Sequence, residues 1–396
     1  MKIRYLYIDD ELKSSVAPFT EAVEEFGQIA IEHIAPLPYE DQIQDIIQRQ
    51  RAGEFDGLIL DLRLDKIANW NPKDKVNKAV NYRGATLAQE IRTRTTEGPD
   101  SGLSPFPIVL WSTEDYLEES YWRDNTSHDL FDLRVVKQHI QQIENFASRL
   151  SGQLVDLVKG YNIISSFSEE KSTRPFELLN IDVFELLDMA IAGHLVDSIF
   201  AKPVHEQARF ILRQLLETPN NSLINDEILA ARLGLDINRS PDFSKLVDSL
   251  FAKARYKGPF SDGWPCWWFS EIEDIWESVL QADDSLREMT ASERVELLKQ
   301  RSSLTELIAA TPPLFAKSTS YWTICKATRK PIDITDGFKI RRQPSHPWQN
   351  PFYVSLEGVI EGFAEEKNIK ISPLDEQRYE HAKAQAIASN RGKQTL

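Results

Sequence analysis

The chain has 396 residues, which is enough for two or three domains. Hydrophobic residues make up 41% of the sequence and charged residues 27%, as in globular proteins that bury a core of ordinary size. The formal net charge of −15 opposes non-specific attraction to nucleic acid, because such attraction comes largely from Lys and Arg neutralising phosphates.

Two further features limit the class of protein. No stretch reaches the roughly 18 uninterrupted apolar residues of a membrane helix, and the N-terminal apolar run ends in acids without a cleavage site. We therefore expect a cytoplasmic protein with no membrane partner. The two cysteines and scattered histidines do not fit a disulfide framework or a zinc cluster.

Strand and helix patterns alternate over residues 1–150. Apolar runs predict strands at 3–8, 28–34, 58–60, 107–111 and 133–137. Apolar residues at helical spacing predict helices at 12–26, 40–52 and 84–92, and a further helix from about residue 138. This alternation indicates an α/β domain of the flavodoxin-like type, a doubly wound five-stranded parallel sheet with helices on both faces.

The remainder of the chain has a different pattern. Helical spacing dominates after about residue 150 and predicts a mostly α-helical C-terminal region with a helical domain at 168–311. One of its helices is predicted at 240–258, with Ser240 as N-cap and a proline at the first helical position. Residues 312–374 are interpreted as an irregular or mixed segment. Residues 375–396 are interpreted as a polar tail that forms a fraying surface helix.

Polar side chains end four of the five predicted strands: Asp9 and Asp10, Asp61, Ser112, and Lys137. The carboxyl ends of parallel strands meet in one crevice, so these groups are expected to converge. Clustered carboxylates favour a hard cation such as Mg²⁺, which would allow Asp61 to stay ionised and to attack phosphorus. The Lys137 ammonium would supply positive charge to the same phosphoryl oxygens.

Five motifs in order carry a resemblance to a known family: YLYIDDE, FDGLILDLRL, RGATLAQEIR, PIVLWST and RVVK. Together they resemble the receiver domain of bacterial response regulators, over residues 1 to about 145. The resemblance implies that Asp61 is a phospho-acceptor for a partner histidine kinase. It also implies Mg²⁺ bound directly by Asp10, Asp61 and the backbone carbonyl of Arg63, with Asp9 acting through a water.

The same resemblance assigns Ser112 as the switch hydroxyl and Lys137 as the phosphate contact. The sequence departs from the family pattern in three places. Gln138 stands where a proline usually follows the lysine, and Arg134 stands where an aromatic switch residue is usual. The loop after Asp61 is also longer than is typical. Arg134 and Gln138 leave open a pseudo-receiver adaptor that keeps the fold but never carries phosphate.

The C-terminal half matches no family that we recognise, and we expect an output module that acts through contacts with an unknown protein partner. An alternative is a DNA-binding transcription regulator with a winged-helix-like segment at 205–260. A small basic cluster follows its third helix, at Lys253, Arg255 and Lys257. That helix begins Pro241–Phe243, without the Arg, Asn, Gln or Lys expected of a base-reading helix, so protein contacts are favoured over DNA.

Other patterns have plain structural interpretations. An aromatic cluster is expected to be a packed mini-core rather than a partner surface: Trp264, Trp267, Trp268 and Trp276 with Phe260 and Phe269. A basic run is expected to be a solvated face: Arg329, Lys330, Lys339, Arg341 and Arg342. Because no Gly-rich phosphate loop, Ser-His-Asp set or H-E-x-x-H motif follows residue 150, no enzymatic activity is expected. An enzymatic effector in residues 151–396 is a further alternative, for which the sequence offers no candidate site.

Overall fold

A computed structural model describes residues 2–65, 80–98, 101–121, 127–169, 175–181, 187–218, 220–281, 284–341 and 346–393. The chain divides into two compact units. The first unit contains Met1–Ile181, His194–Arg213 and Lys257–Trp264, and the second contains Asp182–Gly193, Gln214–Tyr256 and Pro265–Leu396. Within these described ranges no helix has both the length and the apolar character needed to cross a bilayer.

Strands and helices alternate through the N-terminal part: β1 (Ile3–Ile8), α1 (Lys13–Glu24), β2 (Ile29–Ile34), α2 (Tyr39–Arg51), β3 (Gly57–Leu60), α3 (Gly84–Thr96), β4 (Ile108–Ser112), α4 (Glu114–Tyr116), β5 (Leu133–Val136), α5 (His139–Gln142) and α6 (Phe146–Glu169). A π-helical turn, Leu117–Tyr121, follows α4. The strands form a five-stranded sheet in the order β2-β1-β3-β4-β5, and every pair is parallel. The predicted flavodoxin-like architecture is confirmed.

Side chains of β1 alternate between the two faces of the sheet. Leu6 and Ile8 are buried in the same apolar cluster as residues of α2 and α3. Tyr5 faces the opposite way, and its hydroxyl donates to the Leu154 carbonyl of α6 at 2.7 Å. Since successive residues of a strand point to opposite faces, this alternation places helices on both sides of the sheet.

The helix predicted from about residue 138 is divided into two. The short α5 ends at Gln142; the next residue, Ile143, is extended, and Asn145 adopts a left-handed conformation with φ of 59°. Asparagine tolerates this region better than most residues, so the chain can turn here before the 24-residue α6 begins.

Helices predominate in the remainder, with short strand pairs between them: α7 (Pro175–Leu178), α8 (Met189–His194), α9 (Val204–Arg209), β6 (Leu223–Asn225), α10 (Asp226–Arg232), α11 (Phe243–Ser249), β7 (Cys266–Trp268), α12 (Phe269–Asp274), α13 (Ala291–Ser302), β8 (Thr323–Ile324), β9 (Pro331–Ile332), β10 (Phe338–Lys339), β11 (Tyr353–Val354), α14 (Leu356–Ile360), α15 (Phe363–Glu366) and α16 (Glu376–Lys393). The pairs β6–β7, β8–β9 and β10–β11 are antiparallel. A mostly helical C-terminal region is therefore confirmed.

Helix α11 begins later than its sequence predicts. The Ser240 hydroxyl accepts a hydrogen bond from the backbone N–H of Ile308 at 2.9 Å, so it does not cap the helix. Asp242 occupies the N-cap position instead, and its carboxylate accepts the N–H of Glu306 at 3.0 Å. The prediction of Ser240 as N-cap was wrong, because long-range main-chain contacts occupy its hydroxyl.

The polar tail contributes to a core of the second unit. Residues 376–393 form α16, where Tyr379 and Ala386 are buried in an apolar cluster that includes Phe338. These two residues lie seven positions apart, so they share one face of the helix. The helix expected in this tail is present, and one of its faces packs into the core.

The aromatic residues near 260–276 are packed inside the protein. The four tryptophans are all buried: Trp264, Trp267, Trp268 and Trp276. This confirms the prediction that they pack in a core rather than form an exposed partner surface. Trp264 belongs to the first unit, whereas Trp267 and Trp276 belong to the main apolar cluster of the second. Both cysteines, Cys266 and Cys325, are buried free thiols.

Candidate functional site

The main-chain ladder of the parallel sheet places the polar residues that follow its strands. The backbone N–H of Asp61, which follows β3, donates to the carbonyl of Ile8 in β1 at 3.0 Å. The backbone N–H of Lys137, which follows β5, donates to the carbonyl of Ser112 at 2.9 Å. Hydrogen bonding thus continues one residue beyond the strands, and the side chains leave the sheet at the same edge.

Lys137 lies at the centre of the polar group at this edge. Its Nζ lies 2.7 Å from Oδ2 of Asp9, 3.3 Å from Oδ1 of Asp61 and 3.6 Å from Oε2 of Glu11. Asp9 is fully buried, while Asp61 and Lys137 are 3% and 2% exposed. The structure thus brings together an acid of the first strand end, the predicted acceptor and the predicted lysine.

Asp61 is held by its own loop. Its Oδ2 accepts the backbone N–H of Arg63 at 2.7 Å, while the Arg63 guanidinium pairs with Asp65 at 2.7 Å. Ser112 is fully buried beside Asp61 at the end of β4. Most of the long loop predicted after Asp61, residues 66–79, lies outside the described residues.

Three buried oxygens at this edge have no hydrogen bond of normal geometry among the residues that the structure describes. They are Oδ2 of Asp10, Oδ1 of Asp61 and Oγ of Ser112. Oδ1 of Asp61 is nevertheless ion-paired with Lys137, and Ser112 interacts with the Asp61 carboxylate, which leaves Oδ2 of Asp10 as the unsatisfied oxygen among the described residues. Buried polar atoms are nearly always satisfied by a partner, so this oxygen indicates a place where water, an ion or a ligand group can bind. All three are oxygen atoms, which suit a hard cation or a hydrogen-bond donor.

Burial and neighbouring charge shift the titration of the carboxylates. Burial, followed by the charges of Asp9 and Asp61, raises the pKa of Asp10 to about 7. Burial also raises the pKa of Asp61, although the Lys137 ammonium opposes this. Burial lowers the pKa of Lys137, but the carboxylates of Asp61 and Asp9 raise it by more, so it stays protonated. An added cation would favour the ionised form of Asp10.

Sequence reasoning missed Tyr7 and Glu11. The Tyr7 hydroxyl donates to Oδ2 of Asp9, and its ring stacks on Trp111 with centroids 5.3 Å apart. Residues two apart in a strand share a face, so the spacing of Tyr7 and Asp9 held this information. Glu11 continues the acidic run and approaches Lys137, but nothing in the run separates a site acid from a solvated one.

Gly84 is a further positioning residue. A Cβ atom at Gly84 would lie 2.1 Å from the backbone oxygen of Asp61, a separation that no side chain can tolerate. Glycine therefore allows the N-terminus of α3 to approach the end of β3, and the Gly84 N–H donates to the Leu62 carbonyl at 3.2 Å. The glycine of RGATLAQEIR thus has a steric role beside the predicted acceptor.

Arg134 occupies the position expected for an aromatic switch residue. Its guanidinium lies 5.8 Å from the ring centroid of Tyr121, a buried residue of the π-helical turn after β4. Tyr121 in turn stacks on His128, with ring centroids 4.5 Å apart. An aromatic ring is thus present near this position, but it comes from the π-helical turn after α4 rather than from β5.

The described residues contain no group of three or more His, Cys, Asp or Glu side chains arranged to hold a metal ion. The edge of the sheet offers a smaller set, namely the carboxylates of Asp10 and Asp61 beside the Arg63 main chain. Mg²⁺ commonly keeps several waters and takes only one or two protein carboxylates, so an oxygen set of this size is compatible with it.

The winged-helix-like segment predicted at 205–260 is divided between the two units: 205–213 and 257–260 fall in the first, and 214–256 falls in the second. Lys253 pairs with Glu271 at 2.7 Å, and Arg255 pairs with Asp248 at 3.4 Å. In the basic run near the C-terminus, Arg329 pairs with Glu227 and Lys330 pairs with Glu357. Arg342 lies outside the described residues.

Comparisons with known proteins give little further guidance. No protein-family model matches the chain, and no curated protein matches it. Among solved structures, the chain is similar to the RcsB response regulator of Salmonella typhimurium, with 14% identity and a TM-score of 0.23. The match covers 53% of this chain and 91% of that chain. A superposition this loose does not bear on the fold, which rests on the sheet topology described above.

Proposed function

We propose that the first unit is a receiver-like signalling domain in which Asp61 accepts a phosphoryl group from a partner histidine kinase. The observation that supports it best is the position of Lys137. Its Nζ contacts Asp61 at 3.3 Å and Asp9 at 2.7 Å, at the edge where three parallel strands end. A surface lysine or a random acidic loop would not be expected to form this buried arrangement.

The chemistry required of the residues is simple. A carboxylate oxygen of Asp61 forms a bond to phosphorus while the P–N bond to the donor imidazole breaks. Lys137, held protonated by the two aspartates, stays beside the new phosphoryl oxygens. The Ser112 hydroxyl is fully buried beside the Asp61 carboxylate and would donate to those oxygens.

Magnesium is part of the proposal. Asp10, Asp61 and the backbone carbonyl of Arg63 would hold the ion, with Asp9 acting through a water. Bound Mg²⁺ would supply positive charge that offsets the carboxylates and the transferring phosphoryl group. The support is the buried Oδ2 of Asp10, which has no hydrogen bond among the described residues, close to the buried Asp61 carboxylate, together with the raised pKa of Asp10.

The output is proposed to pass through the β4–β5 side of the sheet. Movement of Ser112 and Lys137 toward the phosphoryl group would pull on the ends of β4 and β5. Arg134 lies in β5 and contacts Tyr121, so a shift of this strand would reach the segment after β4. The helical C-terminal region would then act through contacts with a protein partner.

Acetyl phosphate provides the test, since it donates a phosphoryl group without a kinase. The full-length protein is incubated with acetyl phosphate, with and without Mg²⁺, and its intact mass is measured. We expect a gain of one phosphoryl group that requires Mg²⁺ and is lost in Asp61→Asn. Asp56→Asn is the matched control, since Asp56 precedes the other end of β3 and accepts the N–H of Arg4 at 2.8 Å. No gain, or a gain that survives Asp61→Asn, contradicts the proposal.

A pseudo-receiver adaptor that carries no phosphate is the second candidate. The burial of Asp61 favours it, since only 3% of this residue is exposed and Lys137 is already beside its carboxylate. The two candidates differ in their dependence on the acceptor. Cells carrying Asp61→Ala should lose the signalling response if phosphorylation is required. They should keep that response if the domain only binds a partner.

A further inference from the structure

The second unit contains a cavity of about 270 Å³ with a basic and amide-rich lining. Two arginines line it: Arg232, at the end of α10, and Arg287, shortly before α13. Neutral polar groups are contributed by Asn221, Thr323 and Asn350. None of the described lining residues is Asp or Glu, so the lining carries positive charge without a matching acid.

Aromatic rings fix Arg232 in place. Its guanidinium lies 4.0 Å from the ring centroid of Phe269 and 4.6 Å from that of Trp322, and Nε donates to the Trp322 carbonyl at 3.4 Å. The residue is 1% exposed, yet Nη1 has no hydrogen-bond partner within the described part of the chain. Among the described residues, no carboxylate lies within 4.0 Å of Arg232 to form an ion pair. The planar guanidinium of Arg232 is thus held rigidly, and its Nη1 is a hydrogen-bond donor that no described group uses.

The charges around the cavity are not balanced. Burial lowers the pKa of Arg232 to about 9, the charge of Glu273 opposes this, and the charge of Arg287 adds to it. Arg287 is exposed, and its guanidinium lies 5.1 Å from the Trp322 ring centroid. Two guanidinium groups near one cavity repel each other, and the charge of Glu273 only partly offsets the cost of burying Arg232. An anion in the cavity would relieve both effects.

We propose that this cavity binds a small molecule through a carboxylate or phosphate group held between Arg232 and Arg287. Guanidinium groups form paired hydrogen bonds with both oxyanions, and a stacked arginine loses little freedom on binding. The Asn221 and Asn350 amides, bonded to each other at 3.0 Å, would recognise neutral polar groups at the rim. The volume is just below the roughly 300–1,000 Å³ typical of ligand pockets, which favours a metabolite-sized anion over a polymer.

This site goes beyond the proposed phosphorylation and does not depend on it. Isothermal titration calorimetry of the full-length protein with inorganic phosphate, and separately with succinate, tests it at an ionic strength fixed with chloride. We expect saturable one-site binding of at least one probe, and the probe that binds identifies phosphate or carboxylate as the preferred group. The melting temperature should rise with the same probe.

Arg287→Gln is the informative variant, because Arg287 is exposed and its loss need not disturb the core. It should weaken binding by about tenfold or more, as expected when one charged hydrogen-bond partner is removed. Arg239→Gln, which removes another exposed arginine of the same unit, should bind as the unmodified protein does. Absence of saturable binding for both probes, or equal weakening in the two variants, would overturn the proposal.

Discussion

The ammonium of Lys137 lies 3.3 Å from the carboxylate of Asp61, and both residues are almost fully buried. The two come from different strand ends, which β4 separates in the sheet. A buried cation and a buried carboxylate stabilise one another only while both are present. The contact therefore links the stability of the first unit to the residue proposed to take the phosphoryl group.

Lys137→Met should destabilise the protein strongly. The substitution leaves Asp9 and Asp61 buried without their shared cation, and breaking a buried pair in this way costs about 3–5 kcal/mol. Urea unfolding, followed by a signal from the first unit, measures the loss in the free energy of unfolding. Lys159→Met is the control, since Lys159 pairs with Asp262 at 3.3 Å on the surface and should cost under about 1 kcal/mol. Similar losses in the two variants would argue against a buried charge cluster.

Gly84→Ala should distort the end of β3. Its Cβ would meet the backbone oxygen of Asp61 at 2.1 Å, so α3 or the acceptor loop must move, at a cost of about 1–3 kcal/mol. Gly152→Ala in α6 is the matched control, because its Cβ meets nothing within 4 Å. That change should stabilise the protein by about 0.5–1 kcal/mol, since alanine favours a helix. Thermal unfolding compares the two, and equal effects would contradict the close approach.

Asp10 should make the stability of the metal-free protein dependent on pH. Its pKa is raised to about 7 in the folded chain, whereas the unfolded chain loses this proton near pH 4. Between these values the folded state holds the extra proton, so the free energy of unfolding falls as pH rises. Asp10→Asn should remove about 1 kcal/mol or more of that fall, whereas Asp115→Asn, at an exposed acid, should not. Urea unfolding at pH 4.5, about 6 and about 8 measures the slope.

Ser112→Ala should impair the signalling response of β5 while leaving the stability of the protein nearly unchanged. The hydroxyl has no hydrogen bond of normal geometry within the described residues, so its removal should change the free energy of unfolding by less than about 1 kcal/mol. The variant should still gain the phosphoryl group, but residues 133–136 should lose their phosphorylation-dependent change in amide exchange. Ser112→Thr should restore that change. If Ser112→Ala keeps the full change, Ser112 has no switch role.

Sequence reasoning predicted the sheet because the apolar runs were uninterrupted and each ended at a polar residue. The alternation of strands and helices along the sequence was enough to predict that Asp9, Asp61 and Lys137 lie near one another, since the carboxyl ends of parallel strands meet at one edge. It could not predict which oxygens Lys137 approaches, because those distances depend on side-chain packing. Gly84 appeared only as part of a motif, and its steric role depends on the crossing of α3 over β3.

The C-terminal half was harder to interpret from sequence. Ser240 has the chemistry of a helix cap, but its hydroxyl bonds the main chain of Ile308, a contact that no local pattern reveals. The tail looked polar because few of its residues are apolar, and among them Tyr379 and Ala386 of α16 are buried in the core. Local sequence could not indicate the burial of Arg232 either, since it packs against Phe269 and Trp322, which are distant in sequence.

Locating the phosphoryl group on the chain is the most direct test of the account. The protein is treated with acetyl phosphate and Mg²⁺ and then reduced with borohydride, which converts an aspartyl phosphate to homoserine, and its peptides are sequenced by mass spectrometry. The account predicts conversion at Asp61, dependent on Mg²⁺ and absent without the phosphodonor. Conversion at another carboxylate instead, or none at Asp61 in folded protein, would contradict the central role of this residue.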